Sequence, residues 1–147
     1  MNLKLNKYLR EIGYSEESFP FKKENEQYYP NKEGFITAEF YNLDHTLNLM
    51  IYSYLCYYRE YIADKVTAGC FIPMDDINDT KNIGHKKWLK MLDSMIFGFK
   101  IILIDDEKKQ QELLKTDKTG LELEKLVYKR WNKSKKLLCE YWSCLWW

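Results

Sequence analysis

Two acidic motifs and one basic, aromatic run hold the side chains of this sequence that could do chemistry. Asp44 stands beside His45 in NLDHTL, Asp93 lies in WLKMLDSM, and Arg130 and Trp131 sit in KLVYKRWNKSKK. An aspartate next to a histidine is the residue pair of an acid–base couple or of two metal ligands. A metal needs three or more converging ligands, so Glu60, Asp64 or Asp93 would have to join them. The plainer role for Asp44 is in the first turn of a helix, where a carboxylate offsets unpaired backbone N–H groups by ~0.3–1 kcal/mol. Asp93 falls about 120° round its helix from the centre of the apolar face. Lys86, Lys90 and Lys100 occupy nearby helical positions, so Asp93 is placed either in a surface ion pair with a lysine or at the lip of a pocket, accepting a hydrogen bond from a ligand. Lys125, Lys129, Arg130, Lys133, Lys135 and Lys136 surround Trp131, a combination that can hold phosphate and stack a base. It is equally the solvated face of a helix whose other side is core. Glycine-rich phosphate loops, nucleophile elbows and triads are missing. So are the paired Glu-x-x-Glu helices of all-α nucleotide pyrophosphohydrolases and the extra histidines of His-Asp hydrolases. The residue types point to binding, with no catalytic residue, metal or cofactor assigned.

The element that must position these groups is the stretch from His85 to Glu107. Trp88, Leu92, Met95, Ile96, Phe99, Ile102 and Leu103 recur at three- and four-residue steps, which predicts one apolar face of an α-helix. Phe97, Ile101 and Ile104 make the opposite side apolar too, so this helix is expected to be central and covered on more than one side. Asp105, Asp106 and Glu107 oppose its dipole and predict a stop or bend. A weaker helical segment, KKQQELL, follows.

Around it, Leu5, Tyr8, Leu9 and Ile12 predict a short first helix with Gly13 as its left-handed stop. From Tyr14 to Tyr41 the periodicity fails at Pro20 and Pro30, and Phe19, Phe21, Tyr28, Tyr29 and Phe35 are expected to pin a long loop across the bundle. The second helix begins near Asn42 or Asp44 and runs to about Val66. Leu47, Met50, Ile51, Tyr54, Leu55, Tyr58 and Ile62 are its predicted inner side. Thr119 and Glu122 predict a capping box at the start of the last helix, which carries Leu123, Leu126, Val127, Ser134, Leu137, Leu138, Tyr141 and Leu145. The closing YWSCLWW should dock on the domain or form a self-association surface, since so large an apolar patch is unusual on a monomer. Strand alternation is weak: GFITAEFYN is short and alone. The expected architecture is an all-α, single-domain bundle over residues 1–147, with about four main helices and a long aromatic loop near the N-terminus.

Composition narrows the partners. A formal charge of +1 with 31% charged residues excludes a general polyanion binder, whose domains carry a strong basic excess, so any charge-driven contact must be local. Cys56, Cys70, Cys139 and Cys144 show neither Cys-x-x-Cys nor Cys/His spacing and read as reduced thiols of a cytosolic protein. MNLKLNKYLREIG lacks the apolar run of a signal peptide, and no stretch reaches the ~18 apolar residues of a membrane span. A soluble protein with no membrane partner is expected.

Two stretches resemble a widespread family of small, uncharacterised helical proteins encoded by tailed phages. WLKMLDSMIFGF, Trp88 to Phe99, fits its Trp-x-x-x-Leu-Asp-x-Met-Ile-x-x-Phe pattern, and GFITAEFYNLDHTL, Gly34 to Leu47, is similar to its glycine- and aromatic-rich turn followed by Trp-x-Leu-Asp and a helix. GLEL, Gly120 to Leu123, and the terminal LWW resemble its closing segment. Tyr41 stands where the family usually has Trp, and Glu124 where it often has Phe. The resemblance implies a phage origin, a helical fold and the host cytoplasm as the place of action, and no known reaction.

These readings converge on a phage accessory protein for host takeover or counter-defence. The leading expectation is sequestration of a small anionic, nucleotide-like ligand between helices, contacted by Asp44, Trp88, Asp93, Arg130 and Trp131. The alternatives are an inhibitor that covers a host protein or nucleoprotein defence complex, and a metal-dependent nucleotide hydrolase. The tryptophan cluster at the C-terminal end makes a homodimer a further expectation.

Overall fold

The computed structural model describes residues 4–19, 32–33, 42–64 and 83–145. Their regular structure is helical throughout: α1 (Lys7–Glu11), α2 (Leu43–Tyr61), α3 (Ile83–Leu103), α4 (Glu107–Leu114) and α5 (Gly120–Glu140), followed by a 3-10 turn at Trp142–Cys144. No strand occurs among the described residues. GFITAEFY of the GFITAEFYN segment, most of the aromatic loop, Cys70, Trp146 and Trp147 lie outside them. Cys139 is a free thiol, and among the described residues no helix is long and apolar enough to cross a membrane. The chain divides into two compact units, Met1–Ser53 and Tyr54–Trp147, with the boundary inside α2.

In the first unit α1 is started by Asn6, whose side chain accepts from the backbone N–H groups of Tyr8 and Leu9 and so occupies two donors that the helix leaves over. Gly13, at φ +108°, follows the helix in a conformation that side-chain-bearing residues rarely adopt. Leu9, Ile12, Phe19, Leu49 and Tyr52 are buried here. A polar link runs through them: Asn6 Nδ2 donates to Ser53 Oγ at 3.1 Å, and Ser53 Oγ donates to Leu49 O at 2.8 Å. Along α2 the expected inner side is met in part: Leu55 and Ile62 are buried. Leu47 is 44% exposed and Tyr54 62% exposed, whereas Thr46, Asn48 and Ser53 are buried. Satisfied hydroxyl and amide groups have taken positions that periodicity reserves for leucine, because a hydrogen-bonded polar group can be buried at little cost.

The second unit is organised by α3 and α5, which pack along each other, with α4 laid against α5. Trp88, Leu92, Met95, Phe99 and Leu103 are buried on one side of α3, and Ile101 is buried on another. Ile101 joins Leu123 and Val127 of α5, with Ile102, Leu113 and Leu114 packed beside them, so α3 is covered on two sides, as its all-round apolar character requires. The helix stops at Leu103. Gln110 of α4 reaches back to donate to Ile104 O at 2.6 Å, and Asp106 accepts from Lys109 N at 3.0 Å, so the DDE run serves as a cap for the next helix. Lys115 closes α4 in the left-handed region at φ 52°.

The start of α5 departs from the expected capping box. Thr119 occupies the N-cap position with no side-chain bond to the helix. Instead Glu107 Oε1 accepts from Gly120 N at 3.1 Å, and Glu122 lies 3.7 Å from Lys118. A carboxylate delivered from α4 thus accepts from the first backbone N–H of α5, a different donor from the Glu122 N–H that the Thr-x-x-Glu pattern assigns to Thr119. Farther along, α5 crosses α3 at Gly98: a Cβ there would collide with the Ser134 side chain and come within 2.9 Å of Arg130 O. Ser134, fully buried, donates to Ser94 O at 2.8 Å.

Candidate functional site

Of the five expected ligand contacts, Asp44 belongs to the first unit and Trp88, Asp93, Arg130 and Trp131 to the second. Asp44 is exposed in the first turn of α2, within the first unit, where its charge complements the helix dipole. Its neighbour His45 is hydrogen-bonded through Nε2 to the Tyr14 hydroxyl at 3.1 Å, and Tyr14 meets Phe19 edge-on at 6.5 Å. Among the described residues no three acidic, histidine or cysteine side chains converge as metal ligands.

In the second unit Trp88 is only 4% exposed, its ring tilted against Tyr141 at 6.1 Å. This is a core position. Asp93, five residues on, projects from another side of α3 and takes a bidentate pair from Arg59 of α2: Nε to Oδ1 at 2.8 Å and Nη2 to Oδ2 at 3.3 Å. The partner is an arginine from the preceding helix, where local spacing suggested a lysine of α3. Because the Asp93 side chain is about half exposed, Asp93→Asn should cost under about 1 kcal/mol and lose that effect in high salt. Thermal melts at two ionic strengths check this; a loss of several kcal/mol would contradict a solvent-screened pair.

Arg130 turns inward from α5. Its Nη2 donates to Ser94 Oγ at 3.0 Å and to Ser94 O at 3.2 Å, and its guanidinium lies 4.9 Å from the centre of the Phe97 ring. Burial lowers its pKa from the usual value, since desolvation disfavours the charged form; as an arginine it stays cationic at neutral pH. Trp131, half-buried, carries the Lys135 ammonium 3.4 Å from its ring centre and takes the Tyr128 ring edge-on at 5.8 Å. Arg130 thus fastens α5 to α3, and Trp131 begins an aromatic edge on α5.

The site that sequence reasoning missed is a groove of about 400 Å³ lined by Tyr54, Leu55, Tyr57, Tyr58, Tyr61 and Leu145. Positions 54, 57, 58 and 61 follow helical steps of three, four and seven, so YSYLCYYREY places four phenols along one side of α2. Tyr54 and Tyr57 are 62% and 60% exposed, and Tyr57 stacks on Tyr61 at 6.3 Å with 24° between planes. Among the described residues that line it there is neither lysine nor arginine. These residues offer flat apolar faces with hydroxyl rims. The signal was present in the spacing, but large aromatics at that spacing read first as core.

No family model, curated protein or solved structure matches the chain.

Proposed function

We propose that this is a non-catalytic phage accessory protein that acts in the host cytoplasm by covering a host protein, with the tyrosine groove of α2 as its central contact. The observation that carries this reading is the pairing of two strongly exposed tyrosines with a lining whose described residues are tyrosine and leucine throughout. Tyrosine is enriched among the few interface residues that dominate binding energy, because it brings a large rigid face and one hydroxyl at small entropic cost. The groove accepts an aliphatic or aromatic side chain from a partner. Counter-defence, by blocking a protein or nucleoprotein complex, is the corresponding role.

The second reading is a nucleotide-like ligand whose base stacks on the Tyr57–Tyr61 pair, and the parallel set of those rings is what favours it. Its phosphates would need a cation. Arg130 is committed to Ser94 and Phe97, and Arg59 to Asp93.

The test combines Tyr54→Ala with Tyr57→Ala. The parent chain, used as bait in host lysate, should retain a discrete protein, and the double variant should bind that purified protein at least about thirtyfold more weakly, the equivalent of ~2 kcal/mol. Nucleotides should leave the melting temperature of the parent unchanged. Equal retention by the variant would defeat the groove assignment. A nucleotide that stabilises the parent, by ~2.7 kcal/mol at one hundred times its Kd, and does so only with Tyr57 present, would replace this reading with the second.

A further inference from the structure

The segment Lys125–Lys136 contains six cationic side chains, Lys125, Lys129, Arg130, Lys133, Lys135 and Lys136, and no carboxylate, in a chain whose net charge is only +1. The fold sorts these six. Arg130 is directed at α3, and Lys135 lies over Trp131. The remaining four are exposed, and among the described residues none of them has an ion-pair partner. At 100° per residue they fall within about 80° of arc, nearly opposite the buried stripe of Leu123, Val127, Ser134 and Leu138. Lys125–Lys129 and Lys129–Lys133 are like-charge pairs one turn apart, an arrangement that works against the helix.

We infer that this face of α5 is a contact surface for the phosphodiester backbone of single-stranded nucleic acid. The inference uses none of the residues of the tyrosine groove and does not rest on that reading. Charge complementarity selects a polyanion, and length selects its repeat. From Lys125 to Lys136 the helix rises about 16 Å, the length of about five nucleotides at the ~3.4 Å per-strand rise of stacked bases and of fewer in an extended strand. Lysine ammonium groups on flexible stems suit this contact, because each pairs with a phosphate as a point charge and needs no fixed register. The edge beside the stripe selects single strands over duplex. Tyr128, 45% exposed and one turn from Lys125, stands edge-on to Trp131, and an exposed ring there can stack a base only when the base is free of a duplex. An acidic peptide would match the charge and leave that ring unused.

Fluorescence anisotropy with a labelled oligothymidine of about ten nucleotides tests the inference on the full chain. Four phosphate contacts on a single strand predict a log–log salt slope near −2.8, which is roughly 50-fold weaker binding at 200 mM than at 50 mM salt. Replacing Lys125, Lys129, Lys133 and Lys136 by Gln should abolish most of that slope. Replacing Lys86, Lys87, Lys90 and Lys109, also exposed, removes the same charge from elsewhere and should leave binding within about twofold if contacts are confined within a Debye length of the stripe. Tyr128→Ala should weaken binding about fivefold or more, with Tyr128→Phe restoring it, as expected for a stacked base. Circular dichroism should show all these surface variants folded. Absent oligothymidine binding at low salt, or an equal effect of the two lysine sets, overturns the inference. So does equal, Tyr128-independent affinity for a blunt duplex, or binding of polyglutamate in place of the oligonucleotide.

Discussion

Gly98→Ala should lower the unfolding free energy by roughly 2 kcal/mol, although alanine is the better helix former. In an open helix the exchange gains ~0.5–1 kcal/mol. Here the added methyl meets the Ser134 side chain and approaches Arg130 O at the crossing of α3 and α5, and overpacking of this kind costs ~1–3 kcal/mol, occasionally more. The Arg130 carbonyl belongs to a helix backbone and cannot turn aside, so α5 must move as a unit or α3 must bend. Movement of α5 would also stretch the bonds from Ser134 and Arg130 to Ser94. Ser134→Gly relieves the side-chain part of the collision and leaves the carbonyl contact. In a double-mutant cycle the pair should therefore couple by about 1 kcal/mol, with the double variant more stable than additivity allows. Urea melts of the four proteins measure this. A Gly98→Ala protein as stable as its parent, or more so, would show that the helices do not approach this closely.

That crossing illustrates what the sequence could and could not disclose. The buried faces of α3 were legible because Trp88, Leu92, Met95, Phe99 and Ile101 are large, apolar and regularly spaced, and both covered sides could be anticipated. Ser134 was placed in the apolar series of α5 by its spacing, but nothing marked Gly98 as the residue packed against it. Only the packed pair explains why a glycine and a serine stand at these two positions. In α2 the same logic placed Leu55 and Ile62 correctly and misplaced others: Leu47 and Tyr54 are exposed while Thr46, Asn48 and Ser53 are buried. Hydropathy cannot foresee that Asn6, distant in sequence, supplies Ser53 with a partner. The start of α5 failed for a related reason, since Glu107 reaches Gly120 from the preceding helix.

The chemistry-bearing residues divide in the same way. Asp93 and Arg130 were conspicuous as charges beside apolar stripes, yet their partners, Arg59 and Ser94, come from other helices. Once paired, each side chain serves to join two elements. The tyrosines of α2 had the reverse history. Their spacing was visible, but burial is the usual fate of four aromatics on one helical face, and only the accessible surface of Tyr54 and Tyr57 separates a contact face from a core. Candidate sites were found or missed according to whether the groups opposite them lay close in the chain.

Trp88→Ala carries the largest expected loss, about 3–5 kcal/mol, and it separates a ligand-stacking tryptophan from a structural one. The indole is almost fully enclosed and packs on Tyr141, at the point where α5 gives way to the final 3-10 turn. Truncation removes the transfer free energy of the ring and leaves a cavity that α3 and the end of α5 cannot both collapse to fill. For a chain of this length the melting temperature should fall by about 10–15 °C. Trp88→Phe keeps an aromatic surface against Tyr141 and should recover more than half of the loss. A tryptophan that stacked a ligand would behave in the opposite way: the free protein would melt near the parent temperature, and the deficit would appear only as lost stabilisation when ligand is added. Denaturant melts of the free alanine and phenylalanine variants decide the matter. An alanine variant within about 0.5 kcal/mol of the parent would place Trp88 at the surface and return the Trp-x-x-x-Leu-Asp motif to the role of a binding site, since only surface substitutions are ordinarily that mild.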